Sequence, residues 1–219
     1  MKRKLKVLGL AAFAVFALSA VIASAAQAAT FTTTDGNYPV TLSGNQITGE
    51  VTTKTLTKHE FTVDGGTTTC TTASFAGTSG GAASSTQRLV PTYSGCKLFG
   101  LFNATVNMHK CGYLFHLSSA TAATVDINEC EGTEIEISSG VTACVVTVPE
   151  QAGLGGITLA NENSGTTTAI VATIDVTGIT YKENASCPSG TNPGTNGTYK
   201  GVATISAKFG TASEGIMTG

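Results

Sequence analysis

The residues best suited to chemistry in this sequence are three histidines, His59, His109 and His116, in a chain rich in serine. A histidine beside a serine and a carboxylate can activate the hydroxyl as a nucleophile, whatever the chain order of the three residues. The sequence contains no G-x-S-x-G, H-E-x-x-H, P-loop or G-x-G-x-x-G signature. We therefore predict no catalytic residue, and a secreted hydrolase with an unrecognised site is the alternative.

The surroundings of each histidine favour structural roles. His59 stands at the head of an alternating run, a position typical of a polar or hydrogen-bonded strand-edge residue. His109 lies among polar residues and is expected in an outward or turn position. His116 alternates with Phe115 and Leu117, which predicts a side chain that faces solvent or a partner sheet.

One acidic cluster is present, the segment Asp126–Glu131, with Glu134 and Glu136 beyond it. Carboxylates near a turn can bind Ca²⁺ in an extracellular protein, but this segment lacks the residue pattern of an EF-hand loop. We interpret the cluster as a solvated strand face beside a disulfide. The sequence therefore predicts no metal site and no cofactor.

Six cysteines follow residue 28, at positions Cys70, Cys96, Cys111, Cys130, Cys144 and Cys187. An even number of cysteines in an exported protein predicts three disulfides, for which 15 connectivities are possible. We favour the sequential pairs Cys70–Cys96, Cys111–Cys130 and Cys144–Cys187, because adjacent strands of a meander can close neighbouring pairs without crossing the chain.

A weak internal sequence similarity, called here the internal echo, supports the first and third of these pairs. Tyr93 lies shortly before Cys96, and Tyr181 lies six residues before Cys187. Such an echo is expected if residues 29–118 and 119–219 are two similar β units, with each tyrosine packed near a disulfide. Coincidence among threonine-rich strands, within one continuous β domain, is the alternative.

Alternation with a period of two residues is the main structural signal. It recurs in the segments Lys58–Asp64, Glu134–Ile137, Ala169–Val176 and Val202–Phe209, and the last is expected to point Phe209 inward. Glycine-rich turns punctuate these runs at short intervals, and residues 77–85 and 184–197 are expected loops. The pattern predicts an all-β fold, an antiparallel sandwich or barrel-like domain.

The first 28 residues have the pattern of a secretory signal peptide, expected as a helix. Four basic residues precede an apolar run over Val7–Ile22, and small residues end at Ala28, with cleavage after Ala25 and an uncleaved anchor as alternatives. Removing this segment leaves 8 of the 12 basic residues against 14 acidic ones, a net charge of −6. The protein is therefore expected to be secreted, to bind no nucleic acid and to leave the membrane after cleavage.

Three phrases of the sequence resemble a loose group of secreted, disulfide-containing actinobacterial proteins that have no assigned function. They are Cys70–Gly77, Tyr93–Gly100 and Cys111–Phe115, combined with the signal peptide. The resemblance implies export from a Gram-positive-like bacterium. It brings no catalytic residues with it.

The function that these observations favour is that of a non-enzymatic secreted β protein with a structural or binding role at the cell surface or in the extracellular space. The lack of tryptophan disfavours a flat aromatic platform for sugars. Besides the hydrolase, a self-assembling filament or coat subunit is an alternative, because threonine-rich strands can associate through exposed β edges.

Overall fold

The computed structural model describes residues 28–46, 50–51, 54–55, 58–81, 83–132, 134–164, 167–190 and 192–219. The predicted signal peptide, apart from its last residue, lies outside this part of the chain. The regular structure of the described residues consists of strands alone, which confirms the predicted all-β class. No helix long and apolar enough to cross a membrane is found among these residues.

The described residues form 17 strands. They are β1 (Phe31–Thr33), β2 (Val40–Gln46), β3 (Glu50–Val51), β4 (Lys54–Thr55), β5 (His59–Val63), β6 (Gly66–Ser79), β7 (Thr86–Leu98), β8 (Phe102–Asn107), β9 (Gly112–Ser119), β10 (Ala122–Asn128), β11 (Ile135–Ser138), β12 (Val145–Val148), β13 (Gln151–Ser164), β14 (Thr167–Glu183), β15 (Asn192–Phe209), β16 (Ala212–Glu214) and β17 (Ile216–Thr218). Every pairing between them is antiparallel.

The hydrogen-bonded pairings close the main sheet into two rings that share four long strands. The first ring runs through β7, β9, β10, β13, β14, β15, β2 and β6 and returns to β7. The second runs through β6, β5, β15, β14, β12, β11, β8 and β7 and returns to β6. Strands β6, β7, β14 and β15 therefore belong to both rings.

The shared strands form two pairs, β6 with β7 and β14 with β15, and these pairs face each other in a sandwich-like arrangement. Tyr93 of β7 and Tyr199 of β15 meet across the interior, with ring centroids 6.3 Å apart. Strands from residues 29–118 and from residues 119–219 pair directly, as in β2 with β15 and β9 with β10. The interior enclosed by the two rings is the hydrophobic core.

Burial follows the predicted alternation in most strands. Ile170, Ile174 and Val176 of β14 are buried, as expected for the inward face. The alternation fails at residues 169–172 of β14, which are all buried. It also fails at Phe209, whose side chain is 42% exposed instead of pointing inward. Its position explains the difference, because Phe209 lies beyond Lys208, the last residue of β15 that pairs with β2.

The two predicted loops are shorter in the structure. Strand β6 continues to Ser79, and β15 begins at Asn192, several residues before the predicted start. Asn192 and Pro193 pair with the end of β14, so tertiary pairing extends the strand through a segment rich in glycine and proline. Pro193 is tolerated because it lies at the beginning of the strand.

Three disulfides join the same cysteines that the sequential pairing expects: Cys70–Cys96, Cys111–Cys130 and Cys144–Cys187. The first lies across the register of β6 and β7. The second flanks the ends of β9 and β10, and the third flanks β12 and β14. Three disulfides within one chain are typical of proteins that fold in an oxidising, extracellular environment.

Candidate binding cavity

A cavity lies inside the sheet, where the two rings meet. Its lining comes mostly from aliphatic side chains of β8, β10, β11, β12, β13 and β14, among them Val106, Ile127, Ile137, Val148, Ile157 and Val176. The volume that the centre of a water-sized sphere can reach is about 70 Å³. By that measure one water needs about 10–15 Å³, so the space is large enough for a small molecule.

Five polar side chains line the same cavity, one of which is Thr68. The other four form a hydrogen-bonded group, the tyrosine–histidine cluster of His59, Tyr93, Tyr113 and Tyr199. His59 Nδ1 lies 2.5 Å from the Tyr199 hydroxyl, which lies 2.8 Å from that of Tyr93. The Tyr93 and Tyr113 hydroxyls are 3.0 Å apart. His59 Nε2 lies 3.3 Å from the carbonyl oxygen of Val202. The four groups therefore form one continuous chain of hydrogen bonds.

The fold gathers this cluster from four strands that are distant in sequence. His59 is on β5, Tyr93 on β7, Tyr113 on β9 and Tyr199 on β15. Strand β7 pairs with β9 through its first half and with β6 and β8 further on, so it places Tyr93 between the two rings. Pro91 lies at this change of partner, two residues after the last pair with β9.

Space for the His59 ring is provided by a glycine in the neighbouring strand. A Cβ atom at Gly201 of β15 would lie 2.3 Å from His59 Nδ1, closer than real contacts allow. The next alternate residue, Tyr199, makes the hydrogen bond to that nitrogen. Gly201 is therefore required for the imidazole to lie against β15.

Burial controls the protonation of the cluster. It lowers the pKa of His59 from 6.5 to about 4, although the hydrogen bond to the Val202 carbonyl acts in the opposite direction. Burial also raises the pKa of Tyr113 to about 12 and that of Tyr93 and Tyr199 well above 10. At neutral pH the cluster therefore consists of a neutral imidazole and three neutral phenols.

The structure corrects the expected position of His59. Its side chain is 1% exposed, and its strand is not at an edge because β5 pairs with both β6 and β15. The sequence pattern did place His59 on the same face as Phe61 and Val63. That face points into the interior. The edge position was predicted because histidine is polar, although its neighbours on the same face are apolar.

The other two histidines lie outside the cavity. His109 is in a turn, with a positive φ of 44°. His116 Nε2 lies 2.8 Å from Asp126 Oδ2 on the neighbouring strand. Within the described residues, neither His59 nor His116 hydrogen-bonds a serine hydroxyl.

The acidic residues of the predicted cluster are separated by partners of their own. Glu129 pairs with Arg88 at 2.9 Å, and Glu131 pairs with Lys110. Glu134 lies 3.0 Å from Lys182 Nζ, and hydrogen bonds from Thr147 and Lys182 lower its pKa. No group of three metal-ligating side chains forms in the part of the chain that the structure describes.

The two tyrosines of the internal echo occupy different environments. Tyr93 lines the cavity together with Cys70, one half of the first disulfide. Tyr181 is fully buried, accepts a hydrogen bond from the Asp64 backbone N–H at 3.0 Å and donates to Asn196. The role of the cavity tyrosines was missed because Tyr113 and Tyr199 appeared unrelated in the sequence.

Fold and site together define an all-β, disulfide-bonded protein with an internal, largely apolar cavity and a neutral polar cluster. Comparison with protein-family models, with curated proteins and with solved structures finds no significant match.

Proposed function

We propose that this chain is an exported, non-enzymatic binding protein that holds a small, largely apolar molecule in its interior cavity. The observation that carries the proposal is the cavity itself, with mostly aliphatic walls and a few polar side chains. Ligand sites commonly combine apolar walls with a few polar groups that orient the ligand. The amino-terminal sequence and the three disulfides support export.

A physical argument supports a ligand rather than an empty space. Protein interiors are close-packed, and a cavity destabilises the fold because its lining loses contacts. A ligand that fills the space restores these contacts and removes its own apolar surface from water. The aliphatic lining is suited to this exchange, since its walls offer few competing sites for water.

The alternatives have less support. A serine hydrolase needs a nucleophile beside its histidine, whereas His59 contacts a phenol and a backbone carbonyl, and His116 contacts a carboxylate. Assembly through β edges needs strands with a free edge, and in the described part of the chain these are limited to the short strand β16 and the two-stranded sheets β1–β17 and β3–β4.

Binding can be tested with an apolar fluorescent probe, N-phenyl-1-naphthylamine, on the protein with its three disulfides formed. We expect saturable fluorescence enhancement that a Val148→Phe substitution weakens roughly tenfold or more, because the new ring occupies the cavity. Val141→Phe is the matched control, since Val141 is 76% exposed. Equal binding by both variants would show that the probe does not enter the cavity.

Export is tested separately by mass spectrometry of the protein recovered from the culture medium of its host. A released chain that begins at residue 29 is the expected product. Retention of the whole chain inside the cells would contradict this part of the proposal.

A further inference from the structure

The direction of hydrogen bonding in the tyrosine–histidine cluster begins at His59. Its Nε2 lies 3.3 Å from the carbonyl oxygen of Val202, and a carbonyl oxygen can only accept. Nε2 therefore carries the proton of the neutral ring and donates a hydrogen bond to the Val202 carbonyl oxygen. It follows that Nδ1 is an acceptor, because a neutral imidazole has one N–H and one bare nitrogen.

This tautomer sets the donor at each later step. The Tyr199 hydroxyl donates to His59 Nδ1, so its oxygen accepts from Tyr93. The Tyr93 proton lies in the hydrogen bond to Tyr199, so the Tyr93 oxygen accepts a hydrogen bond from Tyr113. Among the described residues, Tyr93 is the only hydrogen-bond partner of the Tyr113 hydroxyl. The chain of hydrogen bonds therefore ends at the Tyr113 oxygen, which offers lone pairs and no free proton.

We infer that the cavity selects an uncharged ligand that carries a hydrogen-bond donor, with an aliphatic alcohol as the simplest class, and that the donor binds the Tyr113 oxygen. The inference rests on the proposed binding function and states the chemistry of its ligand. The aliphatic walls take the hydrocarbon part, and the free lone pair of Tyr113 takes the hydroxyl proton.

Ligands of other classes are disfavoured by the same arrangement. At the tyrosine–histidine cluster, a molecule that can only accept has to compete with Tyr93 for the Tyr113 proton, which removes one hydrogen bond of the cluster. Thr68, the remaining polar residue of the lining, lies outside this cluster. A carboxylate also needs a cation to offset the loss of its hydration, and the described residues that line the cavity include no lysine or arginine. The cluster is thus an acceptor for neutral donors rather than a site for anions.

Three probes of similar size test this selection by calorimetric titration at pH 7. 1-Octanol and 1-methoxyheptane are isomers that differ in having and lacking a hydroxyl proton, and octanoate carries a negative charge. We expect 1-octanol to bind about fivefold more tightly than the ether, the effect of about one net hydrogen bond. Octanoate is expected to bind more weakly than both.

The variant Tyr199→Phe breaks the chain of hydrogen bonds between His59 and Tyr93 and keeps the ring. Tyr93 can then donate to Tyr113, which leaves the Tyr113 proton free for an acceptor such as the ether oxygen. We expect the preference for 1-octanol over the ether to fall from about fivefold to within about twofold. Tyr38→Phe is the matched control, because Tyr38 accepts a bond from the Thr33 backbone N–H and is not among the residues that line the cavity. The comparison between ligands on the unaltered protein does not depend on the folding of any variant.

Each outcome separates the inference from the function on which it rests. Equal binding of alcohol and ether, or tighter binding of octanoate, overturns the inference and leaves the binding function standing. An alcohol preference that survives Tyr199→Phe unchanged also overturns it. If none of the three probes nor the fluorescent probe binds, the proposed function itself fails and the inference falls with it.

Discussion

Acidification is expected to destabilise this protein through His59, a buried histidine that stays neutral. The side chain is 1% exposed, and burial lowers its pKa from 6.5 to about 4. Above pH 6.5 neither the folded nor the unfolded chain protonates this residue. Between pH 6.5 and about 4 the unfolded chain takes up a proton that the folded chain does not, so stability falls. Below about pH 4 both states are protonated and the effect levels off.

The magnitude follows from the difference between the two pKa values. At about 1.4 kcal/mol for each pH unit, the free energy of unfolding loses about 3 kcal/mol between pH 7 and pH 4, of which about 2 kcal/mol is lost by pH 5. Against a typical stability of about 5–15 kcal/mol, such a loss is readily measured.

The assay is urea unfolding at a series of pH values from 7.5 to 4.0, with the disulfides intact. It compares the protein with His59→Asn, whose amide oxygen keeps an acceptor near the Nδ1 position, and with His109→Gln, a control in an outer turn. Carboxylates titrate in all three proteins, so their contribution cancels in the differences. The His59 variant is expected to lose less stability on acidification than the other two.

A result that refutes the reasoning is easily recognised. If the His59→Asn protein and the unaltered protein lose stability in parallel from pH 7 to pH 5, His59 ionises in the folded state as it does in water. The side chain would then lie in contact with solvent, and the cluster would not be a buried neutral group.

Two further predictions concern stability. Gly201→Ala is expected to destabilise the protein by about 1–3 kcal/mol in urea unfolding, because its Cβ would meet His59 Nδ1 at 2.3 Å; Gly140→Ala, with nothing within 4 Å, is the control, and equal effects would contradict the contact. Replacing both Cys144 and Cys187 by alanine is expected to cost about 4 kcal/mol, more than loss of either other bridge, because this pair has the largest sequence separation, 43 residues; a smaller loss than for the other bridges would reject the chain-entropy argument.

Local sequence pattern determined the class of fold and much of its inward face. Alternation of side chains has the same two-residue period in any strand, so Ile135, Ile137, Ile170 and Ile174 could be assigned to the core before any partner strand was known. The even number of cysteines likewise predicted three bridges, and neighbouring positions in the chain favoured the pairs that the structure contains.

Strand bounds were less predictable, because they depend on partners. Asn192 and Pro193 have residue types typical of a loop, yet β14 supplies hydrogen-bond partners and extends the strand through them. Phe209 has the alternation of an inward residue, but β15 has passed its last pair with β2 there, so no core remains to cover it.

The candidate site was decided by tertiary structure alone. His59, Tyr93, Tyr113 and Tyr199 lie on four strands, and no local rule relates residues that are up to 140 positions apart, the separation of His59 and Tyr199. The sequence by itself placed His59 in an alternating strand and gave no relation between it and the three tyrosines. Only the closure of the sheet into two rings determined that their polar ends meet in one cavity, because burial and hydrogen-bond partners are properties of the packed chain.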